Sequence, residues 1–153
     1  MINVKLAIFT LNENARDFTE NPLFLKWMDC RCKGVNVTKN SRGKPILSSG
    51  KYLSIAHKKK VAVAAYSKNP VGVDIEFLEE ICPKKISKRL FGYEISDPLD
   101  FYRQFTIFES KYKLGFEGEN VKTHTIVEDN MVISVAGTEE IQPEIEYIVE
   151  EKV

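Results

Sequence analysis

Val71-Gly72-Val73-Asp74-Ile75-Glu76-Phe77 alternates without a break, and a period of two reads as a β-strand with unlike faces. Val71, Val73, Ile75 and Phe77 take one side, and Gly72, Asp74 and Glu76 take the other. Residues two apart on a strand are about 6.5–7 Å from each other. At an effective dielectric of about 20, two like charges at that separation repel by roughly 2.4 kcal/mol. Two arrangements relieve the repulsion. The face is exposed and water screens it, or a divalent cation sits between the carboxylates. Hard cations such as Mg²⁺ take one or two carboxylates together with substrate phosphates. Gly72, lacking a side chain, would leave room for a ligand beside them.

Upstream, Asn3 to Leu11 alternates and reads as a strand. Asn21 caps a short helix that has Pro22 in its first turn. Its Phe24 and Trp27 are expected in the core. Gly34 to Lys44 is polar and reads as an irregular connection. Lys51 to Ile55 and Lys60 to Tyr66 read as strands joined by a basic turn from His57 to Lys60. Downstream, Pro83 to Phe91 and Leu99 to Phe116 read as helices. Ile126 to Val135 reads as a hairpin turning at Glu128-Asp129-Asn130, and Glu144 to Val149 as a late strand. Interspersed strands and helices with hairpin connections make the class α+β.

The chain has 153 residues, the length of one domain or of two small lobes on a shared core. Lys plus Arg equal Asp plus Glu at 22 each, and this zero net charge argues against a general nucleic-acid binder. No apolar run reaches the roughly 20 residues of a membrane span. The first residues carry neither a basic region nor a cleavage site of a secretory signal. Cys30, Cys32 and Cys82 are odd in number and unpatterned, which suits a reducing cytoplasm better than a disulfide scaffold. His124 has no ligand partner at metal spacing.

A third carboxylate would strengthen the cation arrangement, and Glu109 is the candidate. It lies in Phe105-Thr106-Ile107-Phe108-Glu109-Ser110-Lys111-Tyr112-Lys113, which has amphipathic helical spacing. Glu109 and Lys113 share a face. They form either an ordinary i, i+4 ion pair or a carboxylate for the metal beside an ammonium for a phosphate.

Gly43-Lys44-Pro45, Leu53-Ser54-Ile55-Ala56-His57, Val71 to Glu76 and Phe105 to Lys113 occur in this order across residues 43–118. In order and spacing they resemble the 4′-phosphopantetheinyl transferase superfamily, in its surfactin-synthetase-activator type. Ile86 to Phe91 resembles the helix between the two acidic motifs. The resemblance implies two small sheet-plus-helix lobes related by a pseudo-twofold. The first, shortened, lobe would cover about 1–68 and the second about 69–153, as one domain. It implies transfer of the 4′-phosphopantetheine arm of coenzyme A to a serine of an acyl or peptidyl carrier protein, in the cytoplasm, with no membrane or nucleic-acid partner.

Carried over residue by residue, Asp74, Glu76 and Glu109 match the acids that hold Mg²⁺. Lys113 and His57 match groups at the phosphates, and Lys44 the lysine on the nucleotide side. Glu109, directly or through water, would take the hydroxyl proton. Since carriers of this class are acidic, Lys88, Arg89 and Lys111 are candidate contacts. Three departures stand out. Phe105 replaces a tryptophan, Phe108 a lysine, and Ala56 a serine whose hydroxyl would help hold phosphate. Of the upstream basic residues only Arg31, Lys33, Lys39 and Arg42 remain, with Lys58-Lys59-Lys60 following His57. The alternative is an inactive relative that binds coenzyme A or a carrier without transfer.

Overall fold

The computed structural model describes residues 1–31, 36–41, 43–115 and 120–152. Cys32, Lys33, Gly34, Arg42 and Phe116, all weighed above, lie outside them. The fold is α+β. Strand β1 (Ile2–Thr10) leads through a single 3-10 turn to helix α1 (Pro22–Arg31). The side-chain oxygen of Asn21 accepts the Leu23 N–H at 2.9 Å and starts that helix. Strands β2 (Val37–Lys39) and β3 (Pro45–Leu47) form a small hairpin, followed by β4 (Tyr52–Lys58), β5 (Val61–Ser67) and β6 (Val71–Phe77). Helices α2 (Lys84–Phe91) and α3 (Pro98–Leu114) precede β7 (Lys122–Glu128), β8 (Met131–Gly137) and β9 (Ile141–Val149).

The strands make two larger sheets, ordered β4-β5-β1-β9 and β6-β8-β7. Packed face to face, they bury Val4, Leu6, Ile8, Val63, Val73 and Ile133 between them. The outer face of the four-stranded sheet buries Phe9 and Leu53 against Phe18, Phe24 and Trp27. The outer face of the three-stranded sheet is covered by α3. Strand β5 shows why its sequence suits the middle of this stack: Val61, Val63 and Ala65 enter one core, while Ala62, Ala64 and Tyr66 enter the other.

Four expectations change. Residues 36–41 and 43–47 are not wholly irregular, because β2 and β3 pair there around a turn in which Gly43 takes φ 79°. Three-residue strands are too short to show a period. His57 and Lys58 belong to β4, so the turn is Lys59-Lys60, with Lys59 at φ 54°. Helix α3 stops at Leu114, where Gly115 at φ 80° sends its N–H back to the Lys111 carbonyl. Finally, β9 leaves the expected second lobe and pairs in parallel with β1, from Ile2 opposite Ile141 to Thr10 opposite Val149. Its alternation was visible in the sequence, but its partner is a long-range choice. Glu146 ties it to α1, accepting from Trp27 Nε1 at 3.0 Å and from Arg31 at 2.6 Å.

Candidate functional site

The carboxylate face of β6 is not open to water, because α3 lies across it. Its closest approach is at Gly72, where a Cβ would stand 2.2 Å from the Ser110 carbonyl oxygen and 2.5 Å from the Leu114 nitrogen. Gly72 therefore admits a helix backbone and not a ligand, which corrects the role expected for it. A buried hydroxyl chain locks the helix in place: Ser134, opposite Asp74 on β8, lies 2.8 Å from both Thr106 and Thr125.

Asp74 is only 8% exposed under this cover. Burial raises its carboxyl from 3.8 to about 6, the Lys113 ammonium opposes that rise, and the charges of Glu76 and Glu109 add to it. Lys113 Nζ stands 3.4 Å from Asp74 Oδ1. The other oxygen, Oδ2, is buried with no hydrogen-bond partner. An ionised oxygen without a partner is costly to hold in place. It suits a hard cation, which takes bare carboxylate oxygens.

The remaining expected residues divide unevenly around this point. Lys113 turns to Asp74, so the simple i, i+4 pair with Glu109 is not the contact it makes. Glu76 pairs with Lys58 at 3.3 Å. Glu109 lies on α3 in a cleft of about 730 Å³ that Lys44, Pro45, Ser54, Tyr112 and Lys113 also line. Glu76 and Glu109 are thus each within electrostatic reach of Asp74. Yet among the described residues no three His, Cys, Asp or Glu side chains form a group that could hold a metal ion. Any cation would be completed by a ligand's own oxygens.

Lys44 is half-buried and burial lowers its pKa. Its Nζ donates to the Lys113 carbonyl at 2.7 Å, so it ties the β2–β3 turn to the end of α3. His57 lies in an adjoining cleft with Lys39. Burial, then the charges of Lys113 and Lys39, lower its pKa, so at neutral pH it is an uncharged hydrogen-bonding imidazole. The same histidine borders a third cleft, lined by Arg16, Lys58 and Lys59. The three clefts adjoin through shared lining residues and carry Lys44, Lys113, Lys39, Arg16, Lys58 and Lys59.

Arg16 and Tyr112 are the site residues that sequence reasoning missed. Arg16 sits in a loop with no periodic cue, and Tyr112 looks like any aromatic on an amphipathic helix. Ala56 is buried between the sheets, so a hydroxyl there would not face the cleft. Phe108 is 47% exposed, its ring 5.9 Å from Phe91. Ile86 and Leu90 on α2 are exposed too, as are Lys88, Arg89 and Lys111. Cys30 and Cys82 are exposed thiols. Among the described residues no helix is long and apolar enough to cross a membrane.

The chain matches no family model and no curated protein.

Proposed function

We propose that this chain is a 4′-phosphopantetheinyl transferase of the surfactin-synthetase-activator type, moving the arm of coenzyme A to a serine of an acyl or peptidyl carrier protein. The observation that carries this reading is the bare Asp74 Oδ2. It is charge-coupled to Glu76, Glu109 and Lys113, and Lys113 in turn lines a cleft with Lys44 and Glu109. Such a combination suits a diphosphate that arrives with its cation.

Asp74, with Glu76 and Glu109 nearby, would hold Mg²⁺, which when bound supplies positive charge to the phosphoryl oxygens. Lys113 borders both Asp74 and the cleft, and its ammonium would meet the same oxygens. Lys44 and the neutral His57 would bind further along the nucleotide, one as a charge and one as a hydrogen-bond partner. The serine Oγ bonds to the phosphorus bearing the pantetheine arm. The bond to the bridging oxygen breaks, and 3′,5′-adenosine bisphosphate leaves. The serine proton passes to Glu109, directly or through a water, since that carboxylate lines the cleft where the hydroxyl must enter. The basic side chains of α2 and Lys111 would face an acidic carrier.

A second reading, capture of coenzyme A or a carrier without transfer, is favoured by Phe108, an exposed ring where the resemblance expects a lysine. The two separate cleanly. The protein is mixed with coenzyme A, Mg²⁺ and an apo carrier, and the carrier is weighed by intact mass spectrometry. The transferase adds the phosphopantetheine mass. Calorimetric binding of coenzyme A with no added mass selects the binder, and neither result removes both.

A further inference from the structure

Strand β9 ends its sheet, in the order β4-β5-β1-β9, so one of its edges has no neighbouring strand. Which backbone groups lie there follows from the pairing with β1. The Ile2 N–H donates to the Glu140 carbonyl at 2.7 Å, and the Glu150 N–H donates to the Thr10 carbonyl at 2.9 Å. The register runs unbroken between those two bonds. Successive residues of a strand send their N–H and C=O to opposite edges, so the even-numbered residues of β9 serve β1. Ile141, Pro143, Ile145, Tyr147 and Val149 face outward. Pro143 has no N–H to offer, but among the described residues no hydrogen bond takes up the N–H of Ile145, Tyr147 or Val149. These three also share one face of the strand and stay 40%, 52% and 68% exposed. The Tyr147 hydroxyl is tied to Glu128 of β7. Beside Val149 a cleft of about 560 Å³ opens, lined also by Leu11, Asn12 and Glu150. An apolar strip flanked by free donors is a template for another extended strand.

Charge decides which strand. Glu139, Glu140, Glu144, Glu146, Glu150 and Glu151 lie on or next to β9. The N-terminal ammonium, Lys5 and Arg31 pair with Glu139, Glu144 and Glu146. Glu140, Glu150 and Glu151 make no ion pair among the described residues, so the edge stays net negative even with Lys152 beside it. A second copy of this chain is therefore a poor occupant. Antiparallel pairing of two β9 strands centred on Ile145 sets Glu144 opposite Glu146, and centred on Tyr147 it sets Glu144 opposite Glu150. Like charges directly opposite are destabilising. We infer that the open edge of β9 is a docking site for an extended peptide segment in which Lys or Arg alternates with apolar residues. The main chain of that segment takes the N–H groups of Ile145, Tyr147 and Val149. Its apolar side chains cover theirs, and its cations meet the glutamates of the other face.

The probes are fluorescein-labelled peptides of equal length, alternating Lys with Val, Glu with Val, or Lys with Gly. Anisotropy with the whole chain at about 0.15 M salt is expected to show binding of the Lys–Val peptide. The Glu–Val peptide lacks the charge and the Lys–Gly peptide lacks the apolar face, so each should bind at least about tenfold more weakly. Ile145→Pro removes one outward N–H and leaves the bonds to β1 in place, as the native Pro143 does. It should weaken Lys–Val binding about tenfold or more. N-methylating the Lys–Val peptide throughout strips its backbone N–H groups, keeps its side chains, and should abolish binding to the unchanged chain. That second measurement needs no variant to fold. No binding of the Lys–Val peptide, or equally tight binding of either control peptide, overturns the docking site. Binding that survives N-methylation overturns the strand pairing. Sedimentation in which the unchanged chain self-associates and Ile145→Pro does not also overturns the inference, because a second copy then covers the edge.

Discussion

The two outer faces of the sheet pair are each covered by a helix, and the two coverings differ in kind. Under α1 the contact is aromatic and apolar, with Phe9 edge-on to Phe18 at 4.8 Å and to Trp27 at 6.0 Å. Under α3 the strand beneath contributes a glycine and a carboxylate, and the helix contributes the fully buried Thr106 and Ser110. Burying apolar rings stabilises the fold. Burying an ionised oxygen without a partner does the reverse. The α1 side is therefore wholly stabilising in kind, whereas on the α3 side the burial of Phe101, Tyr102 and Val132 is partly offset by a buried carboxylate.

Substitutions in the two layers test that contrast. Phe24→Ala should cost about 3–5 kcal/mol, lowering the thermal midpoint without reference to any ligand. Gly72→Ala comes next, at about 1–3 kcal/mol or more, because backbone and not a movable side chain blocks its Cβ. A Gly72→Ala protein that melts like the unchanged chain would show that α3 does not sit against β6 as described.

Asp74→Asn should have the opposite sign. The carboxyl is raised from 3.8 to about 6, so between those values the folded protein holds a proton that the unfolded chain has released. That contribution is fully present below about pH 4 and is lost as pH rises through 6. Above it the ionised group costs of order 2–3 kcal/mol. Asp74→Asn, measured without added metal, should therefore be more stable than the unchanged protein at pH 7. The difference should close as pH falls from 6 towards 4, as read by urea melts across that range. A constant difference, or a destabilised variant, would sink this account. Glu109→Gln should change stability least, by less than about 0.5 kcal/mol, while abolishing phosphopantetheine transfer in the mass assay. Near-normal transfer would remove Glu109 from its assigned role.

Much of the fold was legible because it is local. The alternation of 71–77 marks β6 at both ends, and the Asn21-Pro22 start marks α1. The β2–β3 hairpin was not legible, being shorter than a recognisable period. Of the candidate site, Asp74, Glu76, Glu109 and Lys113 stood out by strand and helix spacing and Lys44 and His57 only through a resemblance of motifs, whereas Arg16 and Tyr112 carried no pattern that would pick them out.

Sequence by itself determined which residues share a strand or helix face, since backbone periodicity places side chains whatever lies beyond them. It left open whether Asp74 meets water or a helix, what Gly72 makes room for, which sheet receives residues 141–149, and whether Lys113 turns to Glu109 or to Asp74. Only the tertiary structure decided these, because each depends on what packs against the face, and burial sets the charge state of a carboxylate more strongly than its neighbours along the chain.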